Sequence, residues 1–117
     1  MLTKDQILSA NDRNIQEIEV PEWGGTVYIR NMTGGERDAY EMSLIKMQGR
    51  NMQADLANAR AKLCAICICD QDGNRLFTDD EVQELSKKSA SALDRVYEQA
   101  EKLNGLKSDE IEGLVKN

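Results

Sequence analysis

Histidine is absent from the 117-residue sequence, and aromatic side chains are scarce: one Trp, three Tyr and one Phe. Without an imidazole, neither a Ser-His nor a Cys-His nucleophile pair can be built. No glycine-rich phosphate loop or P-loop lysine follows a strand-like run. Long apolar runs are missing too, so no transmembrane helix is expected. Met1 to Arg13 lacks the charged, apolar, small-residue order of a signal peptide. Basic residues are outnumbered, 15 against 21 acids, and are scattered singly along a chain of formal charge −6. That excludes a phosphate-tracking nucleic-acid surface and an anionic-lipid surface, both of which need clustered Lys and Arg. The 21 acids could supply a general acid and base, but on a small surface they read as a solvated face. A non-enzymatic protein without a cofactor is expected, in the cytoplasm.

Leu, Ile, Val and Phe together make up 25 of 117 residues. That is just above the one-fifth below which a charged chain tends to stay disordered. A chain of this length forms one domain, residues 1–117, and buries roughly two-thirds of the surface its unfolded form exposes. The expected fold class is mainly α: a small helical domain with an N-terminal β-hairpin, a minor variant of α+β.

Thr3 and Gln6 form a capping box that opens a short helix with Ile7 and Leu8 on its apolar side, ended by Asn11 to Asn14. The period then changes. Ile15, Ile18 and Val20 precede the single proline, Pro21, and Thr26-Val27-Tyr28-Ile29 follows Gly24-Gly25. Two β-rich runs about a Gly-Gly bend predict a hairpin. Thr33 and Glu36 make a second capping box, predicting a helix to about Gln48, interrupted at Gly49. Met52, Leu56, Ala59, Leu63 and Ile66 then recur at helical spacing, predicting a helix from Asn51 to about Cys69.

Asp70 to Asn74 is a turn cluster, and Arg75-Leu76-Phe77 a candidate extended piece. Thr78 with Glu81 starts a short helix containing Val82 and Leu85. Ser91 with Asp94 marks the start of the next helix or its first turn, and Leu93, Val96, Tyr97, Ala100 and Leu103 share one face of it. Asn104-Gly105 stops that helix, and Ser108 caps a last one through Val115.

Three features compete for a chemical role. Cys64, Cys67 and Cys69 invite a zinc or redox reading, yet no histidine or second cysteine pair completes a four-ligand site. A redox pair also belongs at a helix N-terminus, whereas these fall at a predicted helix end. They read as buried small apolar thiols, reduced in a cytosol. Asp70, Asp72, Asn74 and Glu81 occupy positions 1, 3, 5 and 12 of an EF-hand-like window, but the sixth position is Arg75 where that loop needs glycine. A tight Asp-Gly turn is the favoured reading, with a calcium or divalent-metal module as the alternative. Finally, Met32, Met42, Met47 and Met52 cluster around Gly49. Flexible thioethers serve either as core gap-fillers or as a surface for varied apolar partners. Trp23 at the hairpin bend faces the same choice, either packed over the helices or presented as an anchor. The helix seam, Leu63 included, is likewise either core or a partner face, and Trp23, Met42, Met47, Met52, Leu56 and Leu63 are the candidate partner-binding residues.

The run Val20-Pro21-Glu22-Trp23-Gly24-Gly25-Thr26-Val27-Tyr28-Ile29-Arg30, with Met32-Thr33-Gly34-Gly35-Glu36-Arg37-Asp38, resembles the N-terminal part of tail assembly chaperones of long-tailed bacteriophages. The block Cys69 to Asp80, the run Ser89 to Arg95 and Leu103-Asn104-Gly105-Leu106 continue the likeness in order. The resemblance implies a protein absent from the finished virion that binds the tape measure protein and keeps it soluble while tail tube subunits assemble. It also implies a longer product made by ribosomal frameshifting, through which the tail tube protein becomes a partner; Val115-Lys116-Asn117 is compatible with a slippery codon run. Self-association and a helical adaptor role for another phage or host protein are the remaining expectations.

Overall fold

The computed structural model describes residues 1–106. The last predicted helix, Ser108 to Val115, and the Val115-Lys116-Asn117 end lie outside the described residues.

The chain opens with helix α1 (Lys4–Ser9), whose capping box between Thr3 and Gln6 is formed in both directions. The hairpin follows: β1 (Ile15–Val20) pairs antiparallel with β2 (Gly25–Arg30), with Ile18 opposite Val27. One turn of 3-10 helix, Pro21–Trp23, joins them, and Gly24 leaves it at φ 75°, a left-handed conformation that suits glycine. Glu22 in that turn accepts from Arg95 Nε at 3.0 Å, which ties the bend to the far end of the sequence.

Helix α2 (Gly34–Ser43) starts at the predicted cap, with Thr33 and Glu36 bonded reciprocally. It ends five residues earlier than the sequence suggests. Residues 45–54 form instead a second hairpin, β3 (Ile45–Gln48) paired with β4 (Asn51–Ala54). Gly49 sits at φ 61°, the positive value that a two-residue hairpin turn needs at its first central position. Ile45, Met47, Met52 and Ala54 alternate with Lys46, Gln48, Asn51 and Gln53, so the local period is two and not 3.6. The Asp55 amide donates to the Leu44 carbonyl at 2.6 Å and closes the hairpin base.

Helix α3 is consequently short, Ala59–Cys67, and neither Met52 nor Leu56 belongs to it. Its second half, Leu63 to Cys67, is apolar on every side, and Leu63, Cys64, Ala65, Ile66 and Cys67 are all buried, as is Ala61 before it. Strand β5 (Ile68–Cys69) follows directly and pairs antiparallel with β2, completing a sheet of order β1-β2-β5. The chain reverses over Asp70 to Asn74, with the Asp70 amide donating to the Asn74 carbonyl at 2.9 Å and Gly73 at φ 88°. Arg75 then bridges back to Cys69.

The third capping box, Thr78 with Glu81, starts a 3-10 turn that leads into α4 (Val82–Ser86). Helix α5 (Ala90–Asn104) is capped by the Ser89 hydroxyl, which accepts from the Ala92 amide, so Ser91 and Asp94 fall within its first turns. It presents Ala92, Leu93, Val96 and Ala100 to α3 and stops at Gly105 in the left-handed region. The product is a small α+β domain in which α3 lies between α5, α4, α2 and the three-stranded sheet, sharing a core with Val20, Ile29, Tyr40, Leu44 and Leu85.

Leu63 is fully enclosed in that core. Leu63→Ala removes buried methyl groups where neighbours on all sides limit collapse, so an unfolding stability lower by about 2–5 kcal/mol is expected in urea titration. A loss under about 1 kcal/mol contradicts the packing described.

Candidate partner-binding surface

The candidate residues separate into three environments. Leu63 belongs to the core and leaves the exposed set, a correction to its place among the partner-binding candidates. Trp23 is half-buried and packs against the core from the bend of the first hairpin. Met42, Met47, Met52 and Leu56 are exposed, at 67, 59, 41 and 53%.

The second hairpin explains the exposure. In its register Met47 lies opposite Met52 and Ile45 opposite Ala54, and directly paired residues share a sheet face. One face is therefore apolar, and the other carries Lys46, Gln48, Asn51 and Gln53. Every residue of β4 is exposed, and in β3 only Ile45 is partly covered. Met42 lies one turn before the hairpin and Leu56 just after it, so these large apolar groups bracket an element that does not enter the core. Helix α1 likewise buries none of its residues, and Ile7 and Leu8 face outward.

Beside the hairpin base, α2, α3 and α4 enclose an open cleft of about 560 Å³, floored by Ala39, Tyr40, Ile66 and Val82. Its polar groups are mostly committed. Arg30, the buried charged residue at the end of β2, donates from Nη1 to Glu36 Oε1 at 2.9 Å and from Nη2 to Oε2 at 2.6 Å. The Thr33 amide also donates to Glu36 Oε1, at 2.9 Å. Burial pushes the Glu36 carboxyl up, but the Arg30 guanidinium and the Thr33 amide more than offset it and hold the pKa at about 2. Arg75 donates to the Ala65 carbonyl and to Asp79, and Lys62 Nζ to the Ser43 carbonyl at 2.9 Å.

The EF-hand-like residues are engaged locally. Asp70 Oδ1 accepts from the amides of Asp72 and Asn74 at 2.8 and 3.0 Å, which closes the turn. Glu81 is turned to the Thr78 amide at 2.9 Å as the return half of its capping box. Among the described residues no group of three or more acidic or thiol side chains is gathered as metal ligands. The cysteines are all buried and unpaired. Burial pushes the thiols of Cys64 and Cys67 up to about 12, so neither is a ready thiolate. No helix among the described residues is long and apolar enough to cross a membrane.

Sequence reasoning missed the second hairpin and with it the two cations it carries, Lys46 and Arg50. The available signal was the strict alternation on either side of Gly49.

The described residues thus form a small α+β domain with an exposed methionine hairpin. Comparison with known proteins gives its family: residues 3–113 match the family model of the phage tail assembly chaperones, and the chain belongs to that family. Among solved structures, the bacteriophage HK97 tail assembly chaperone shares the fold with a TM-score of 0.61 at 22% identity, over 89% of this chain and 95% of that one. Comparison with curated proteins gives no match.

The Glu36 contacts set a pH dependence. A carboxyl whose folded pKa lies below its unfolded value contributes stability that is present above the unfolded value, near 4.5, and lost as pH falls toward the folded value, near 2. The urea midpoint is expected to drop across that window, and Glu36→Gln to have a lower midpoint at neutral pH and a shallower drop. A wild-type midpoint that is flat from pH 5 to 2 contradicts the role given to this pair.

Proposed function

We propose that this chain is a non-enzymatic chaperone that binds the tape measure protein and keeps it soluble in the host cytoplasm while tail tube subunits assemble around it. The family match across residues 3–113 carries this reading. The molecule's surface supports it: Met42, Met47, Met52 and Leu56 offer an adaptable apolar contact, and half-buried Trp23 on the first hairpin is a further candidate. Methionine suits such a surface because its unbranched, polarizable side chain repacks against varied partners. The formal charge of −6 helps keep a complex with a long apolar client in solution.

Co-expression with the tape measure protein tests the reading. Wild-type chain is expected to raise the soluble fraction of that client. A variant with Met42, Met47, Met52 and Leu56 all changed to Ser is expected to lose the effect while remaining cooperatively folded, since exposed substitutions each shift stability by about 0.5 kcal/mol or less and four together by about 2 kcal/mol at most. A wild-type chain that leaves client solubility unchanged overturns the function.

The reading extends to a second, longer product of the same gene, made by a −1 ribosomal frameshift near the codons for Val115-Lys116-Asn117, whose added part engages the tail tube protein. The coding nucleotides decide this. A slippery run with an open overlapping frame is expected, and absence of both removes the longer product.

A further inference from the structure

The second hairpin poses a physical problem. A sheet of two strands is marginal in water unless something covers its apolar face. Here β4 is exposed throughout, and Met47 and Met52 pair across the ladder on an open face. Among the described residues nothing covers that face.

Charge indicates what kind of segment suits it. Lys46 lies on the reverse face of the hairpin, Arg50 at its tip, and Lys62 at its base, where Nζ reaches the Ser43 carbonyl. None of the three enters an ion pair within the described residues. Arg60, in the same stretch, is already paired with Asp94 at 2.7 Å. From Ser43 to Cys69 the sequence holds four cations and a single acid, Asp55, on a chain whose formal charge is −6. The methionine hairpin thus carries cations without ion-pair partners on its reverse face, at its tip and at its base, while the rest of the molecule, net acidic, repels negative segments. That arrangement attracts acidic partners to one end of the domain and sets their orientation there.

We infer that the Met42, Met47 and Met52 face binds apolar polypeptide segments whose flanking residues are Asp or Glu. The inference rests on the chaperone reading and names the client chemistry that reading leaves open. The methionines bury the apolar stripe, and Lys46, Arg50 and Lys62 select its charged margin.

Two synthetic amphipathic peptides with the same apolar stripe, one with Glu and one with Lys at the flanking positions, provide the probe. Each is titrated as a fluorescent conjugate into the full chain, with amide chemical shifts recorded in parallel. The Glu peptide is expected to bind about two- to thirty-fold more tightly than the Lys peptide, the range for two exposed charge pairs. Its largest shifts are expected at Met42, Met47 and Met52. The preference should shrink at 1 M salt and reverse in the Lys46→Glu, Arg50→Glu double variant, which changes two side chains with no structural bond. Equal affinities, binding of neither peptide, a preference that survives the charge reversal, or shifts centred elsewhere overturn the inference. So does a hairpin occupied by a second copy of this chain, seen as a concentration-dependent dimer that dissociates when Met47 and Met52 become Ser. Co-expression separates the inference from its foundation. A wild-type chain that fails to keep the tape measure protein soluble overturns the chaperone reading. Full solubilisation by both wild type and the double variant overturns the hairpin inference alone.

Discussion

The enclosure of the second half of α3, from Leu63 to Cys67, is the constraint from which the rest of the architecture follows. From Ala61 to Cys67 only Lys62 escapes burial, so the segment needs neighbours around its whole circumference. Alanine and cysteine at Ala61, Cys64, Ala65 and Cys67 keep the helix narrow, which lets α5, α2 and the sheet approach closely enough to share one core. In a chain with a single Phe, a narrow central helix takes the place of large aromatic filling. Strand β5 continues α3 without a loop and so fixes the helix against the sheet, while Arg30 and Glu36 lock the end of that sheet to the start of α2.

With the core complete, two elements are left over. Neither α1 nor the second hairpin contributes a buried side chain. Their apolar residues are in surplus over what folding requires, and large exposed apolar groups on a small acidic domain point to contact with another chain. The division is one of composition as well as of place. The interior is rigid, small-residue and charge-poor at its centre, while the projecting hairpin is flexible in composition and basic.

Much of this was legible in the sequence, for identifiable reasons. Three Thr-led capping boxes are written in four consecutive residues each, and all three form because a cap depends on its own neighbours alone. The first hairpin is marked by β-rich runs on either side of Pro21 and Gly24. The second was hidden, since Met52 and Leu56 stand at a spacing that also fits a helix seam and methionine favours helices. Four-residue strands carry too few alternations to outweigh that. Spacing could not separate Leu56 from Leu63 either, because which residue is enclosed depends on helices far away in sequence. Family blocks pointed to the family, and the exposed methionine face came into view only once the hairpin was placed.

The sealed thiols give the protein a built-in gauge of its own opening. Cys64, Cys67 and Cys69 sit on and just after the helix around which everything else packs, and none is accessible in the closed fold. An alkylating reagent can reach Cys64 or Cys67 only when the core itself comes apart, so labelling measures whole-domain unfolding in preference to fraying at the periphery. The projecting hairpin and α1 can fray, bind or be substituted without altering that readout. Labelling can therefore register whether a client stabilises the domain as a whole or engages only its outlying parts.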